Sequence, residues 1–497
     1  MRDTLFHDQI LWDLRDQSAV GCLRREAERF AEAMRMSGGR TTDIPRMYWS
    51  GLADEAESSR DEKDFPDANI LVVSVGGSHT HFRALKISRG VVQELVNPGG
   101  KRNIPTPCGD EQIHSLEEML LPIAREACGW LRVFAGGVEP HILLNWGFPQ
   151  RSIVLSPSEG VTGAIGEVMT KGQRGVQAQG MPIHSVFRAC LQQECLLGGG
   201  AIDISRVKIT VQNDTIMAMF RYLERQRRAD FHAMALMILG TGVNLTTLAR
   251  YEAEENGSVR LDHEGLPVRV PNTKMSAPSR TFWLDYEVGR LKPIETLGRC
   301  DRLAPNEQGE AAEDIENFGL GGTGFGRIFH NLVHDYLPEP DLLWSSLASS
   351  MKVTVSQFFP DGEWVVKLSG RHPVYDASET ISDLTASGLG SEVISSLQVL
   401  AEAVVERSAA RAGVVLAAVS LFSGLGLQVV DLPDALAMEG SVWKTRRYQD
   451  QVLQYWNAIL APELASLKLK ELNISLIVED NYNAGVLGPA YLLGQYL

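Results

Sequence analysis

The chain has 497 residues, with 62 acidic and 47 basic side chains and a formal net charge of −15. This length predicts two or more lobes, because a single hydrophobic core rarely grows beyond about 300 residues. The acidic balance argues against a nucleic-acid surface, which needs clustered Lys and Arg, and no apolar run approaches the ~20 residues of a membrane span.

The cysteines and the N-terminal segment predict a cytoplasmic protein. The six cysteines include no Cys-x-x-Cys spacing, which argues against a zinc ribbon and a thioredoxin-like redox site. Scattered, unpaired thiols are expected, as in a reducing cytosol. Residues 1–17 carry early acids and lack a continuous apolar stretch, unlike a signal peptide. The histidines show no metal-ligand cluster, so no residue is assigned to a metal.

The first elements along the chain are a helix and a connector. Residues 4–36 carry apolar side chains at helical spacing and run into two glycines that end the pattern. The charged stretch 53–67 predicts a connector on the surface.

A strand, a glycine turn and a second strand follow. The β-branched run 69–75 predicts a buried strand, Gly76 and Gly77 end it, and alternation over 82–87 predicts its partner. The backbone amides of such a hairpin can face an anion.

Helices and strands alternate through the rest of the chain. Strands are predicted at 141–145, 206–212, 234–239 and 473–478, and helices at 112–134, 214–227, 326–337, 390–422 and 444–468. This order predicts an α/β fold with mixed sheets. The polar, proline-containing segment 251–313 is expected to decorate the surface.

Asn213-Asp214-Thr215 directly follows one predicted strand. Its structural interpretation is a helix N-cap, since all three side chains can satisfy free amides, and the motif alone favours that interpretation. The functional alternative is that Asp214 lies in a cleft and accepts a proton from a hydroxyl group.

Two further motifs have a structural and a functional interpretation. Gly240-Thr241-Gly242 follows another predicted strand, where glycine lets the backbone approach a ligand, although a simple turn is an equal alternative. Lys171, within Thr170-Lys171-Gly172, is by itself an ordinary exposed lysine. Together, glycine turns, a carboxylate and a lysine are the groups needed to move a phosphoryl group from ATP to a hydroxyl.

Two nucleotide-binding signatures are rejected. Residues 319–324 satisfy G-x-G-x-x-G, but the residues before them predict a helix, whereas the dinucleotide fingerprint requires a strand. No G-x-x-x-x-G-K-[ST] is present, which excludes a standard P-loop.

The order of these motifs resembles the hexokinase family of the eukaryotic type over most of residues 69–497. Seven segments carry the resemblance: GGSHTHFRALKI, TKGQRGVQAQGMPIHSVFRACL, VQNDT, LGTGVN, VVERSAARAGVVLAAVS, AMEGSVWKTRRYQDQV and NAGVLGPAYLLG. Seven segments in the family's order are more specific than any one motif. The cysteine-rich zinc motif of the bacterial repressor-type sugar kinases is missing.

The resemblance implies a two-lobed, actin-like (ribonuclease-H-like) ATPase fold with a cleft between the lobes. Residues 1–66 would pack on the large lobe and 67–212 would form the small lobe. Residues 213–484 would form the large lobe, and 485–497 would be a terminal helix that returns to the small lobe.

The resemblance also implies transfer of a phosphoryl group from ATP, with Mg²⁺, to the primary hydroxyl of a hexose, as in glycolysis. Asp214 would take the hydroxyl proton and Lys171 would stabilise charge on that oxygen. The other sugar contacts would be Thr170, Asn213, Asn244 and Glu316. The nucleotide would contact Gly76, Gly77, Ser78, Gly240, Thr241, Gly242, Gly440 and Ser441. Sugar and ATP are thus the expected ligands, with no nucleic-acid or membrane partner and an open oligomeric state.

Three positions depart from the family's pattern. Ser74 stands where the family has an acid that orders magnesium waters, Gly147 replaces a sugar-binding serine, and Lys274 replaces a sugar-binding glutamate. Three functions therefore remain open: a working hexose kinase, a hexokinase-like sugar-binding or regulatory protein without catalysis, and a kinase for a non-hexose alcohol.

Overall fold

The computed structural model describes the parts of the chain to which every structural statement below refers. They are residues 1, 4–5, 10–37, 47–50, 67–77, 79–88, 91–96, 99–107, 113–134, 140–148, 150–156, 161–166, 169, 175–197, 203–215, 217–219, 233–240, 243–252, 260, 279–286, 288–302, 314–341, 343–345, 362–370, 377–427, 432–440 and 445–478.

Helices and strands alternate much as the sequence predicted. The helices, α1 to α9 in chain order, are Gln17–Ser37, Leu116–Leu131, Ile183–Leu197, Gly322–Tyr336, Gly362–Leu368, Ala377–Ala386, Ser391–Ser423, Arg446–Ile459 and Ala461–Ser466. The strands, β1 to β14, are Met47–Ser50, Ala68–Val75, His79–Ser88, Val91–Leu95, Asn103–Pro105, Pro140–Trp146, Gln150–Ser156, Val161–Gly166, Lys208–Asn213, Met234–Leu239, Val243–Glu252, Ser279–Tyr286, Asp434–Glu439 and Ile474–Val478.

The helix predicted over residues 4–36 is interrupted. Thr4 and Leu5 are helical, residues 10–16 are not, and α1 starts at Gln17. Two acids explain the difference, because each accepts a backbone N–H two residues ahead: Asp13 from Arg15 at 2.9 Å and Asp16 from Ser18 at 2.8 Å. Such local bonds compete with a helix and favour its start just after them.

One sheet has the strand order β4-β3-β2-β6-β9, with β5 beside β3. Strands β2, β6 and β9 are parallel, and β3 runs antiparallel to β2. Strand β2 is buried at every position except Ser74, as expected for a central parallel strand covered on both faces. On one face Val73, Phe82 and Leu144 share a hydrophobic core with α2 and α3.

Helices α2 and α3 pack on this sheet and are joined covalently. A capping box starts α2, with Glu118 N–H donating to Ser115 Oγ and Ser115 N–H donating to Glu118 Oε2, both at 3.1 Å. Cys128 and Cys195, with Cα atoms 5.8 Å apart, form a disulfide. The prediction that the thiols are unpaired is therefore wrong for this pair, because helix packing brings together residues 67 positions apart.

The other large sheet has the order β1-β12-β11-β10-β13-β14. Strands β10, β13 and β14 are parallel, and β11, β12 and β1 extend the sheet in antiparallel fashion. The 33-residue α7 has buried side chains all round, which places it inside a core rather than on a surface. It ends at Gly424, which adopts φ of 74° at the C-terminal cap.

The segment 251–313 contributes to the interior, which corrects the prediction that it decorates the surface. Strand β12 pairs with both β1 and β11, and Val288, Leu291 and Cys300 belong to the core of the large sheet. The strand is only eight residues long and is flanked by polar sequence, so its apolar pattern was missed.

Buried charges join α1 to the segment 288–302, and join that segment to α7. Glu26 on α1 accepts the backbone N–H groups of Ile294 and Thr296, at 2.8 and 2.9 Å. Asp301 pairs with the guanidinium groups of Arg407 and Arg411 on α7. These bonds anchor the N-terminal helix on the core of the large sheet.

Among the helices in the described ranges, none has both the length and the apolar character that crossing a bilayer demands. The lobe boundaries at residues 67, 213 and 485 stay predictions.

Candidate active site

Three parallel strands of the first sheet end side by side. Val75 of β2 lies opposite Trp146 of β6, and Trp146 lies opposite Asn213 of β9. The residues that follow these three are Gly76, Gly147 and Asp214, so chain segments far apart in sequence meet at one edge. Ligands of open α/β sheets bind outside the carboxyl ends of the strands, which makes this edge the candidate site.

Gly147 makes the closest approach at this edge. Its N–H donates to the Val75 carbonyl at 2.9 Å. A Cβ atom added at Gly147 would lie 2.9 Å from that carbonyl oxygen, 3.3 Å from Asp214 Oδ2 and 3.6 Å from Gly76 Cα. The half-buried Asp214 carboxylate therefore lies next to the first glycine turn, with room for no side chain between them.

The first glycine turn has the predicted form. Strands β2 and β3 pair antiparallel, and the N–H of Gly76 donates to the His79 carbonyl at 3.0 Å. A Cβ at Gly76 would lie 3.1 Å from the same oxygen, so a larger residue would disturb the turn. Gly77 follows it at a half-buried position, and Ser78 lies outside the described residues.

Asn213 organises the start of the segment that carries Asp214. Its Oδ1 accepts the Thr215 N–H at 2.9 Å, the Thr215 hydroxyl, and the Asn244 Nδ2 at 3.3 Å. The first bond is the capping interaction that the sequence suggested. The bond from Asn244 links the start of β11 to the end of β9, and thus the two large sheets to each other. The sequence analysis gave Thr215 only a capping role, whereas its hydroxyl also donates to Asn213 Oδ1 and helps to fix that side chain.

Ser74 and Asn145 form a neutral pair beside this edge. They lie opposite each other on β2 and β6, and Asn145 Nδ2 donates to Ser74 Oγ at 3.3 Å. Asn145 is buried, and its Oδ1 has no hydrogen-bond partner among the described residues. The sequence analysis missed Asn145, although a polar residue near the end of an apolar parallel strand was an available signal.

Across the hairpin, His81 on β3 lies opposite Ser74. Burial lowers the pKa of His81 below its ordinary value, and the neighbouring His79 and Arg83 lower it further. The His81 imidazole is therefore neutral at neutral pH and can donate one hydrogen bond without adding charge.

A second glycine turn lies on the large sheet. Strands β10 and β11 pair antiparallel with Leu239 opposite Val243, so residues 240–242 connect them, and Gly240 is exposed. Gly440, at the end of the parallel strand β13, has φ of 124°, and a Cβ there would lie 2.0 Å from the Leu239 carbonyl oxygen. Only glycine fits this position, because both the backbone angle and the contact exclude a side chain.

Several sequence-predicted site residues cannot be placed. Those outside the described residues are Ser78, Thr170, Lys171, Thr241, Gly242, Lys274 and Ser441. Glu316 lies in the 3₁₀ turn Ile315–Phe318, but its side chain is not described. That turn precedes α4, so no strand leads into residues 319–324 and the rejection of a dinucleotide fingerprint is confirmed.

Comparison with known proteins identifies the fold. No protein-family model and no curated protein matches the sequence. The structure is similar to a hexokinase from Schistosoma mansoni complexed with glucose, with a TM-score of 0.60 and 16% identity over 96% of this chain and 95% of that one. A second hexokinase gives a TM-score of 0.59 and 14% identity, with 98% and 97% coverage. A ROK-family glucokinase from Streptomyces griseus, in complex with glucose and AMPPNP, gives a TM-score of 0.45 at 13% identity over 86% of this chain and 99% of that one.

These likenesses span nearly the whole chain at low sequence identity. The predicted fold class is confirmed: the chain has the hexokinase fold, a two-lobed, actin-like α/β fold. Membership of the eukaryotic-type family stays a prediction.

Proposed function

We propose that this protein is an ATP-dependent kinase that phosphorylates the primary hydroxyl of a hexose, with Asp214 as general base. The observation that carries the proposal is the shared strand edge, where Asp214 Oδ2 lies 3.3 Å from the Cβ position of Gly147 and Gly76 Cα lies 3.6 Å from the same position. A proton acceptor beside a glycine turn, where the backbone can approach an anion closely, suits transfer of a phosphoryl group to a hydroxyl.

The remaining roles follow from position and from the resemblance. Asn213 and Asn244 would bind the sugar, since Asn213 directly precedes Asp214 and its Oδ1 accepts hydrogen bonds from Asn244 Nδ2 and the Thr215 N–H. Three residues keep the roles that the resemblance gives them. Lys171 would stabilise charge on the attacking oxygen, Thr170 would bind the sugar, and Glu316 would bind a ring hydroxyl.

The nucleotide would lie between the two glycine turns. Gly76 and Gly77 would approach the phosphates from the first sheet, and Gly240 from the second. The other nucleotide contacts would be Gly440, Thr241, Gly242, Ser78 and Ser441. Small residues at these positions let the backbone approach the phosphate oxygens closely.

The oxygen atoms at this edge suit Mg²⁺, with Asp214 as the one carboxylate among them. Mg²⁺ prefers oxygen ligands and is commonly held by one or two carboxylates together with substrate phosphates and water. Asp214, Ser74 Oγ and the unpartnered Asn145 Oδ1 are oxygen donors that would face its water shell. When bound, Mg²⁺ neutralises charge on the β- and γ-phosphate oxygens.

The proposal is tested by ADP release with Mg-ATP and glucose, fructose, mannose, glucosamine or a polyol. We expect turnover with a hexose, and we expect Asp214→Asn to lower kcat about 10²–10⁴-fold, which is the usual contribution of a general base. Asp450→Asn is the matched control, because Asp450 is an exposed residue of α8. Full turnover by Asp214→Asn would show that Asp214 is not the base.

One observation favours a second candidate, a sugar-binding or regulatory protein without catalysis. At Ser74, where a metal-ordering acid is expected, the structure has a neutral serine–asparagine pair. Such a protein would show a sugar-dependent rise in melting temperature without ADP production. A kinase for a non-hexose alcohol would instead show slow ATP hydrolysis that hexoses do not stimulate.

A further inference from the structure

The C-terminal half of α4 carries two histidines one helical turn apart. His330 and His334 are both half-buried, their ring centroids lie 4.4 Å apart, and their Nε2 atoms are separated by 3.2 Å. Residues at i and i+4 share a helix face, but the rings can point in many directions. Here the two rings are oriented so that their Nε2 atoms lie close to each other.

The surroundings hold His330 in this orientation. Its ring stacks on the buried Trp344, with centroids 4.9 Å apart and an interplanar angle of 20°. It also makes a side-chain hydrogen bond with Asn331. Asn331 is itself fixed, because its Nδ2 donates to the carbonyl oxygens of Cys300 at 2.7 Å and Arg302 at 3.1 Å.

The environment of His330 disfavours its charged form. Burial, followed by the neighbouring His334 and Arg302, lowers the pKa of His330 to about 4, while the hydrogen bond with Asn331 and the charge of Asp341 oppose the shift. The charge of Arg302 is compensated by Asp335, at 2.8 Å. The charge that Arg302 brings near the pair is therefore offset by a carboxylate.

Two imidazole rings with their Nε2 atoms at this distance suit two arrangements. One is an N–H···N hydrogen bond, in which one Nε2 carries the proton. The other is a metal chelate, in which both rings carry their proton on Nδ1 and both Nε2 lone pairs point at one ion. With metal–nitrogen bonds of about 2.0–2.1 Å, a separation of 3.2 Å gives an N–metal–N angle of about 100°, between the octahedral and tetrahedral values.

We propose that His330 and His334 form a binding site for a divalent transition metal ion, with zinc, nickel and copper as the matching class. Imidazole suits these metals, whereas magnesium and calcium prefer oxygen ligands. Among the described residues, no three His, Cys, Asp or Glu side chains could hold one ion together, so water would fill the other coordination positions. The sequence analysis had found no histidine cluster, because spacing alone does not show convergent rings.

The test is calorimetric titration of full-length protein, purified without a polyhistidine tag and freed of metal, with Zn²⁺, Ni²⁺ or Cu²⁺. We expect one site that is weakened at least about tenfold in both His330→Gln and His334→Gln, because each variant removes one of two protein ligands. Affinity should be highest for Cu²⁺, and excess Mg²⁺ should not compete. His114→Gln, which removes an exposed histidine elsewhere, is the matched control and should bind as the wild type does.

A second variant separates ligation from structure. His334→Cys restores a metal ligand and should keep Zn²⁺ binding, whereas a merely structural role of the ring would not be rescued. Melting temperatures measured without metal show whether each variant is folded. If His330→Gln is unfolded, the comparison of His334→Gln with His334→Cys tests the metal site. Unchanged titrations in His334→Gln, or no binding to the wild type, would leave the hydrogen bond as the sole role of the pair.

Discussion

At the residue scale, the geometry of the candidate site depends on positions where a side chain is absent. Gly147 separates the Val75 carbonyl from the Asp214 carboxylate, and a Cβ would approach both at 2.9 and 3.3 Å. Contacts this short with backbone force neighbouring atoms to shift, which in a packed interior costs about 1–3 kcal/mol. Gly147 therefore defines where Asp214 lies relative to the glycine turn at Gly76.

We expect Gly147→Ala to lower kcat/KM for hexose phosphorylation at least about tenfold, because small displacements of a reacting group are costly. The melting temperature should fall as well. Gly129→Ala is the matched control: a Cβ at Gly129, inside α2, meets nothing within 4 Å. Alanine there should stabilise the helix by roughly 0.5–1 kcal/mol and leave activity unchanged. Wild-type activity in Gly147→Ala would show that the close approach does not position Asp214.

At the element scale, the outer helices of the first sheet are held by packing and by one covalent bond. Helices α2 and α3 bury a shared set of apolar side chains against β2, β6 and β9. The disulfide between Cys128 and Cys195 closes a loop with a sequence separation of 67 residues. A loop of this length loses much of its unfolded-state entropy when it is cross-linked, so the disulfide should stabilise this helix pair.

Loss of the disulfide should therefore destabilise the protein by about 2–4 kcal/mol, either on reduction or in Cys128→Ser. Denaturant unfolding with and without reductant measures this difference. Cys22→Ser removes a thiol that is outside the disulfide and should leave the response to reductant intact. Quantitative alkylation of Cys128 and Cys195 in unreduced, denatured protein would show that the bond does not form in solution.

At the scale of the whole molecule, the N-terminal helix and the segment 288–302 are tied to the core of the large sheet by buried charges. Asp301 faces Arg407 and Arg411, and Arg407 also packs over the ring of Trp12 at 4.8 Å. Burial, followed by the neighbouring Arg407, lowers the pKa of Arg411 to about 10, so the Arg411 guanidinium is still charged at neutral pH. Removing Asp301 would take away the carboxylate that pairs with both buried guanidinium groups.

We expect Asp301→Asn to cost about 3–5 kcal/mol of unfolding free energy, as is usual when one partner of a buried ion pair is removed. The exposed pair of Arg446 and Asp450, 3.7 Å apart, provides the control: Asp450→Asn should change stability by less than about 1 kcal/mol. Equal unfolding midpoints for the two variants would mean that the buried network adds no stability.

The candidate site could be predicted from the sequence only in part. Val75, Asn213 and Leu239 end apolar strands, and the glycines or acid that follow each strand are visible in the chain itself. Nothing local shows that Gly147 approaches Asp214, that Gly440 touches Leu239, or that Asn145 pairs with Ser74. These contacts join residues from different strands, so they depend on strand order and register.

The sequence by itself indicated many of the helices and strands and their α/β alternation, because hydrophobic periodicity and turn residues act over a few neighbouring positions. The two-lobed fold was implied by the order of the motifs, through their resemblance to a known family. Tertiary structure alone decided the pairing of Cys128 with Cys195, the pairing of β12 with β1 and β11, and the convergence of the His330 and His334 rings. It also decided which strand ends share an edge. The physical reason is that packing and strand register couple residues that are distant along the chain, and such coupling leaves no periodic signal in the sequence.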